Sequence, residues 1–478
     1  MSHHKPDPNK SVSLTIDGVP VTVPEGTMIL EAARKANIKI PILCDHPDLC
    51  KRALCRICVV ECDGRGKLAA ACSNAVYEGA SIVTNNHRLI DIRKTILELI
   101  LVNHEQNCLH CVRNKNCELQ SLAEELNIRD YEFHQTAEHA PPSVECETLV
   151  RDMNKCVKCA RCVEECQEVQ NIRAINTSHR SHEYGITTPY KQTLDESSCV
   201  FCGQCVSVCP VGAIYEYDQR AQIWESLYNR ERLTIAQVSP AFVAMLNKEY
   251  SGIDEHIEGF GHKFLSAPIT AGKLIAAIKR LGFDMVFDED IAIKAHVSEQ
   301  IIELEKRTAR SDHSKKPKLP AITGCSEGVN RFIHNFYPEL VDHILPSKSP
   351  SKLFADEIKK SYAAEEGVDL EQITTVSFVP CIAQKYRMSK RASSEYKNDY
   401  TLSAKELMRM IVFAGIDIDS IEEEIFNTYN VDLPSTDIEE KPQVVHGLSQ
   451  AHKMMESIRR GECDAKWVEI HSCASDCC

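Results

Sequence analysis

The sequence predicts an α+β multidomain chain, in which short cysteine-rich modules precede a larger α/β domain. Three observations predict it. The chain of 478 residues holds 24 cysteines, most of them closely spaced before residue 210. One run of four cysteines is repeated 43 residues further on. From Thr234 onward the texture changes to alternating short apolar runs and amphipathic stretches, the pattern of an α/β domain. The length leaves room for three or four domains. A net charge of −14 without a long basic run argues against nucleic acid or an anionic membrane surface as the main partner. Apolar runs such as Ile96–Val102 are too short to span a bilayer. The start, MSHHKPDPNK, lacks the apolar centre of a secretory signal, so a cytoplasmic location is expected. Cysteines there are expected to hold metal rather than form disulfides.

Ser11–Val23 is expected to form a hairpin, with Val12, Leu14 and Ile16 alternating, Asp17-Gly18 turning, and Val19, Val21 and Val23 alternating again. Thr27 is placed to cap a short helix running through Ala36. Then comes Cys44-x10-Cys55-x2-Cys58-x13-Cys72, loop-like at first and strand-like at Ile57–Glu61. Three thiolates on a loop and a fourth from a later segment suit a 2Fe–2S core, in which each iron takes two sulfurs. A four-cysteine zinc site would use the same residues. The expectation is a β-grasp-like 2Fe–2S ferredoxin domain over residues 11–88, with Cys50 and Cys62 as surplus thiols.

A periodic helix with Leu89, Ile92, Ile96 and Leu99/Ile100 on one face leads into His104-x3-Cys108-x2-Cys111-x5-Cys117. One imidazole and three thiolates make a complete set for a 4Fe–4S cluster over residues 89–139, although zinc accepts the same set. Its neighbours decide between them. Cys156-x2-Cys159-x2-Cys162-x3-Cys166 recurs as Cys199-x2-Cys202-x2-Cys205-x3-Cys209, followed by Pro210, within residues 140–222. Three thiolates so spaced wrap one cubane, and the fourth cysteine of each run ligates the other cluster, as in two-cluster ferredoxins. Cys156, Cys159, Cys162 and Cys209 are therefore assigned to one 4Fe–4S cluster, and Cys199, Cys202, Cys205 and Cys166 to another. Gln167 stands where a proline commonly follows the fourth cysteine.

This ligand pattern resembles the N-terminal electron-transfer module of three families. They are iron–iron hydrogenases, the largest iron–sulfur subunit of respiratory NADH dehydrogenase, and some NAD-linked formate dehydrogenases. The second half discriminates. Thr234–Val238 and Met285–Phe287 read as strands, and Lys273–Leu281 as a helix with a stripe of Leu274, Ile275, Ile278 and Leu281, ended by Gly282. Arg310–Lys318 reads as a surface loop and Lys348–Lys352 as a short turn. The segments GKLIAAIKRLGFDMVFDED, TGCSEGVNRFIHNFYPEL, FVPCIAQK and VVHGLSQAHKMMESIRRGECDAKWVEIHSCASDCC resemble the catalytic domain of iron–iron hydrogenases. The resemblance implies an α/β hydrogenase-like domain over residues 230–478.

In that family four cysteines hold a 4Fe–4S cluster bridged to a diiron centre, and here the motifs depart. T-S-C-C-P reads Thr323-Gly324-Cys325-Ser326-Glu327, with Cys325 at the proton-relay cysteine and Ser326 at the cluster ligand. P-C-x-x-K reads Pro380-Cys381-Ile382-Ala383-Gln384, which keeps the ligand and loses the lysine that donates to a cyanide of the diiron site. A-C-P-G-G-C reads Ser472-Cys473-Ala474-Ser475-Asp476-Cys477, with Cys478 after it. The segment 386–443 is short and holds one glycine, Gly415, and Gln300 replaces a proton-relay glutamate. The expectation is a domain without a diiron centre, whose Cys325, Cys381, Cys473 and Cys477 hold a fourth 4Fe–4S cluster or remain as buried thiols. Ser326 or Cys478 could instead supply the fourth ligand, while Cys146 and Cys463 are structural.

The resemblance implies an iron–sulfur electron-transfer subunit without a catalytic site of its own. Its partners would be a flavin- and NAD(P)-binding subunit, a small additional 2Fe–2S subunit and ferredoxin, in a transhydrogenase or electron-bifurcating complex. A divergent active hydrogenase and a redox- or hydrogen-sensing protein are the competing readings. Gly64-Arg65-Gly66 is a turn and not a nucleotide-binding loop, so nicotinamide and flavin belong to partners.

Overall fold

The computed structural model describes residues 7, 10–64, 66–130, 133, 140–145, 148–250, 268–309, 318–346, 349–386, 399–428 and 441–473. Cys146, Cys477, Cys478, Lys348 and residues 310–317 lie outside the described residues.

Strand β1 (Ser11–Ile16) buries Val12, Leu14 and Ile16 and pairs with β2 (Val19–Pro24) across Asp17 and Gly18. Both turn residues have positive φ, 48° and 82°, as a two-residue turn between right-twisted strands requires. Helix α1 (Ile29–Lys35) begins after Met28 rather than at the expected Thr27, whose hydroxyl donates to the Pro24 carbonyl at 2.7 Å. Strand β3 (Val59–Cys62) starts two residues later than expected and turns through Gly64 and Gly66 into β4 (Lys67–Ala70). With β5 (Ser81–Val83) these make a mixed sheet ordered β2-β1-β5-β3-β4, covered by α1.

Helix α2 (His87–Val102) buries Leu89 as expected together with Arg93, Leu97 and Leu101, while Ile96 and Ile100 of the expected stripe pack half-buried on the same core and Leu99 is exposed. The inward face differs from the stripe because a charged residue belongs to it. The Arg93 guanidinium donates to the Val59 and Thr84 carbonyls at 2.6 and 2.8 Å, which anchors α2 to the sheet's end. Helix α3 (Glu118–Glu125) packs with α2 over the loop after the second cysteine run. The repeat itself is mostly loop, with one-turn helices α4 (Arg161–Glu164) and α5 (Gln204–Ser207). Strands β6 (Ser143–Glu145) and β7 (Leu149–Arg151) precede its first run, and the pair β8 (Asn176–Ser178) and β9 (Gly185–Thr187) lies between the runs. Strand β10 (Ile214–Glu216) completes the antiparallel order β10-β7-β6.

After α6 (Arg220–Tyr228) come two parallel sheets. Strand β11 (Leu233–Val238) lies between β12 (Met285–Asp288) and β14 (Ile373–Phe378), with β15 (Asp399–Leu402) beyond β14. Helices α7 (Pro240–Tyr250), α8 (Ala271–Arg280) and α13 (Ala404–Phe413) pack with α6 on one core of this sheet. Helices α9 (Asp290–Ala309) and α11 (Pro350–Glu366) share a second core with Ile235 and Ile373. Cover on both faces explains why β14 is buried along its whole length. Pro350 sits in the first turn of α11, where its missing N–H costs nothing, so the turn expected at Lys348–Lys352 is a helix start. The second sheet orders β13 (Ala321–Gly324), β17 (Trp467–His471) and β16 (Gln443–His446), against α10 (Glu327–Phe336) and α14 (Leu448–Arg460). Among the described residues, no helix is long and apolar enough to cross a membrane.

Two glycines set the seam between the cysteine repeat and this domain. A Cβ on Gly328 of α10 would stand 2.4 Å from the Val200 carbonyl oxygen. A Cβ on Gly203 would stand 2.6 Å from Cβ of Ile382, the first residue of α12 (Ile382–Lys385). Gly328→Ala is therefore expected to cost about 1–3 kcal/mol, because backbone cannot yield as a side-chain tip can. Gly185→Ala, whose nearest non-neighbouring atom would be 3.7 Å away, should be near neutral. Anaerobic thermal unfolding of the two variants checks this difference.

Candidate functional site

The first four thiols converge. Cys44 and Cys55 lie on the loop after α1, Cys58 just before β3, and Cys72 just after β4. The Cys44 thiol is drawn down to about 2 by hydrogen bonds from the Cys55 and then the Cys72 side chains. Cys58 is drawn down to about 7, chiefly by Cys72. Cys55 and Cys72 are pushed up, foremost by donating to Cys44. The Cys55 amide also donates to Cys44 Sγ at 3.5 Å. Four thiols that hydrogen-bond one another inside a closed loop fit a 2Fe–2S core, which would bind all four as thiolates.

His104 follows α2 and is buried, which pushes its imidazole down to about 4 and keeps it neutral, as a metal ligand must be. The ring also hydrogen-bonds the Lys155 backbone, while its Nδ1 is buried without a hydrogen-bond partner. Cys117 stands before α3, and its thiol is raised mainly by burial and also by Cys111 and Cys108. A Cβ on Gly212 would lie 2.7 Å from Cys111 Sγ, so this loop closes directly on the strand segment after Cys209.

The two runs of the repeat have one backbone. Lys158 and Phe201 have φ of 55° and 53°, and Ala160 and Gly203 have 62° and 76°. In each run the second N–H after the first cysteine donates to that cysteine's sulfur at 3.4 Å, Lys158 to Cys156 and Phe201 to Cys199. Cys156, Cys159, Cys162 and Cys209 line one small cavity, walled by Val157, Ile186, Val211 and Ile214. Burial raises Cys159 to about 12, with further contributions from Cys156 and Cys209. Burial likewise raises Cys202 to about 12, and among the sulfurs Cys166 adds to it. Each run's fourth cysteine thus stands near the other run's three, Cys209 with Cys156, Cys159 and Cys162, and Cys166 with Cys199, Cys202 and Cys205. Among the described residues, no three Cys, His, Asp or Glu side chains are drawn close enough to chelate a single ion. A cubane instead spreads its four ligands over four irons.

Arginines that the cysteine pattern does not reveal tie these loops together. Arg161, beside Cys162, is buried and donates to both Glu118 carboxylate oxygens at 2.6 and 2.8 Å and to the Asp45 carbonyl at 2.7 Å. Its partners neighbour Cys117 and Cys44, so one guanidinium joins three ligand loops. Arg331 of α10 donates to the Cys199 carbonyl at 2.5 Å, to the Ser197 carbonyl at 3.1 Å and to the Tyr386 hydroxyl at 3.0 Å. Its guanidinium also lies 5.6 Å from the Phe201 ring, itself stacked on Tyr386 at 4.3 Å.

In the C-terminal domain, Cys325 follows β13 and Cys473 follows β17 in the same sheet, while Cys381 precedes α12. The Cys325 amide donates to the Ile470 carbonyl at 3.1 Å, and its sulfur is 3.9 Å from the Ser472 hydroxyl, so the first and third motifs meet. Cys325 packs on the same core as Cys166, Cys199 and Cys202. Cys477 lies outside the described residues. Lys385, next to Gln384, does not restore the missing lysine. Its ammonium is buried against Glu406 at 2.5 Å and Glu216 at 3.7 Å and donates to the Tyr217 carbonyl. Gln300 is buried in α9 with its amide nitrogen 2.7 Å from His296 Nε2. Cys463 lies 3.9 Å from the Met454 sulfur, Cys62 is buried in β3, and Cys50 is exposed.

Residues 232–433 match the family described as iron only hydrogenase large subunit, C-terminal domain. Residues 9–87 match a 2Fe-2S iron-sulfur cluster binding domain. Residues 93–131 match the NADH-ubiquinone oxidoreductase-G iron-sulfur binding region, and 146–215 the ferredoxin-like domain of NADH-quinone oxidoreductase subunit 3. NADP-reducing hydrogenase subunit HndD of Solidesulfovibrio fructosivorans is 34% identical over 429 residues, covering 87% of this chain and 71% of that protein. Iron hydrogenase 1 of Clostridium pasteurianum is 28% identical over 419 residues, 86% of this chain and 69% of its own length. The mitochondrial NADH-ubiquinone oxidoreductase 78 kDa subunit of Candida albicans is 30% identical over 218 residues, 45% of this chain and 30% of its own.

The crossed arrangement makes a selective prediction. Cys209→Ser should alter the paramagnetic resonance signal of the centre held by Cys156, Cys159 and Cys162 and spare the other, and Cys166→Ser should do the reverse. Loss of the centre within the same run in each case would contradict the crossing.

Proposed function

The chain belongs to the iron-only hydrogenase large-subunit family, and we propose that it serves there as an iron–sulfur electron-transfer subunit without a working diiron site. One observation carries this reading: the ligand loops succeed one another through shared apolar cores from the N-terminal sheet to the C-terminal domain. Cys55, Cys117, Cys156 and Cys209 border one core. Cys166, Cys199, Cys202 and Cys325 border the next.

Clusters held at these positions would supply one-electron carriers in series. The chain's own residues keep that series fixed and dry. Arg161 holds the first three loops in register, and Gly212 lets Cys111 approach the segment after Cys209. Arg331 holds the Asp195–Phe201 loop against α10 and puts a positive charge beside Cys199, a placement that favours the reduced state.

At the far end the chemistry is changed. Ser326 and Gln384 stand where the family has a ligand cysteine and a charged lysine, and the charge of Lys385 is engaged by Glu406. Gln300 cannot take up a proton as a carboxylate does. These departures support a domain that holds a plain 4Fe–4S cluster and passes electrons on. The proposed partners are a flavin- and NAD(P)-binding subunit, a small 2Fe–2S subunit and ferredoxin, in a transhydrogenase or electron-bifurcating complex in the cytoplasm.

The test is the native complex purified without oxygen. This chain should account for about 18 irons, from one 2Fe and four 4Fe units and beyond those its partner subunits hold, and a copurifying flavoprotein should reduce NAD(P). About 14 irons would remove the C-terminal cluster. Hydrogen evolution after diiron maturation would overturn the reading.

A further inference from the structure

We propose that Lys155 and Asp152 are positioning residues that set the reduction potential of the centre held by His104, Cys108, Cys111 and Cys117, the ammonium raising it and the buried carboxylate opposing. The proposal rests on the reading of the chain as a series of clusters, and it names the charges that fix the level of one of them.

The geometry places this pair against the neighbouring loop. Lys155 ends the single turn Met153–Lys155, immediately before the first cysteine of the repeat. Its ammonium is 2.6 Å from Asp152 Oδ2 and 4.0 Å from a carboxylate oxygen of Glu105, the residue after His104. A Cβ on Gly212 would stand 2.7 Å from Cys111 Sγ and 3.7 Å from Lys155 Cδ, so that sulfur and the lysine stem meet over one glycine. The backbone holds the same contact. The Glu105 amide donates to the Asn154 carbonyl at 3.0 Å, and the Asp152 amide donates to the Ala213 carbonyl at 2.8 Å. The Lys155 side chain is 14% exposed and that of Asp152 1%, and Asp152 Oδ1 is buried without a hydrogen-bond partner.

Charges so far from water are screened little by salt. At Cys108, burial most raises the thiol and Cys111 adds to it, while the charge of Lys155 opposes both. At Cys156 burial again dominates, but the cations acting there are Lys158 and Arg151. Lys155 is therefore next to one centre in sequence and acts on the other in space. A purely structural role would also account for the ion pair, because a buried carboxylate needs a partner. The two roles part at the potential. Reduction adds one electron and no proton to a cluster, so a fixed cation beside it favours the reduced state and a fixed anion disfavours it. Neutralising Lys155 and neutralising Asp152 break the same ion pair but act on the centre with opposite signs.

The test uses the native complex, purified anaerobically, with Lys155→Gln, Lys155→Arg and Asp152→Asn variants. Redox titration followed by paramagnetic resonance is the readout, and pulsed measurements identify the centre by the nitrogen coupling of its imidazole. Lys155→Gln should lower that midpoint, Asp152→Asn should raise it, and Lys155→Arg should stay near the parent value. The centre held by Cys156, Cys159 and Cys162 should move less in each. Asp152→Asn keeps the shape of its side chain, so it tests the sign even where Lys155→Gln fails to assemble. Shifts of one sign in Lys155→Gln and Asp152→Asn, or no rise in Asp152→Asn, would overturn the proposal and leave the pair structural. A parent complex without imidazole nitrogen coupling would instead overturn the cluster at His104, and this proposal with it.

Discussion

The N-terminal half depends on one buried guanidinium. Loops rich in cysteine have little regular structure to hold them, and an apolar core alone would leave their backbone carbonyls exposed to one another. Arg161 solves both problems from a single position. It grips both oxygens of Glu118 in the bidentate geometry for which arginine is suited, and it satisfies the Asp45 carbonyl with the same nitrogen that reaches Glu118 Oε2. Asp45 follows Cys44 and Glu118 follows Cys117, so three ligand sets are positioned by one side chain. A lysine could not make these bonds together.

A second arginine has a comparable role at the seam with the C-terminal domain. Arg331 replaces solvent for the Ser197 and Cys199 carbonyls, while Gly328 lets α10 meet the Val200 backbone and Gly203 makes room for the Ile382 side chain. Such close packing tolerates no larger residue, and it lays the second run of the repeat directly against α10 and α12. Residues at the domain's far end, Ser326 and Gln384 among them, differ from the motifs this domain resembles. Charge is disposed accordingly. Lys385 pairs with Glu406 and also faces Glu216 at the domain junction instead of facing the motif that precedes it.

The repeated cysteine runs are legible in the sequence because their pattern is written locally: three thiols spaced by two residues suit one face of a cubane, and both runs share the same positive φ values. The parallel strands β11 and β12 and helix α8 are legible from apolar runs and a clear stripe. The arginine ties are not, because their partners lie 43 to 136 residues away and leave no periodic trace. Helix α2 adds Arg93, Leu97 and Leu101 to its inward face, because the Arg93 guanidinium is buried for its two carbonyl partners, against the rule that charge faces water. The start of α11 resembles a turn in sequence because Pro350 ends one structure as readily as it begins another.

The central claim is that this chain conducts electrons and holds no diiron centre. Infrared spectroscopy of the native complex, produced in cells able to mature diiron sites, tests it most directly, because the cyanide ligands of such a centre absorb where protein does not. The account predicts no cyanide stretching band, from a complex whose iron–sulfur signals are reduced by NAD(P)H. A cyanide band present in proportion to the chain would contradict it.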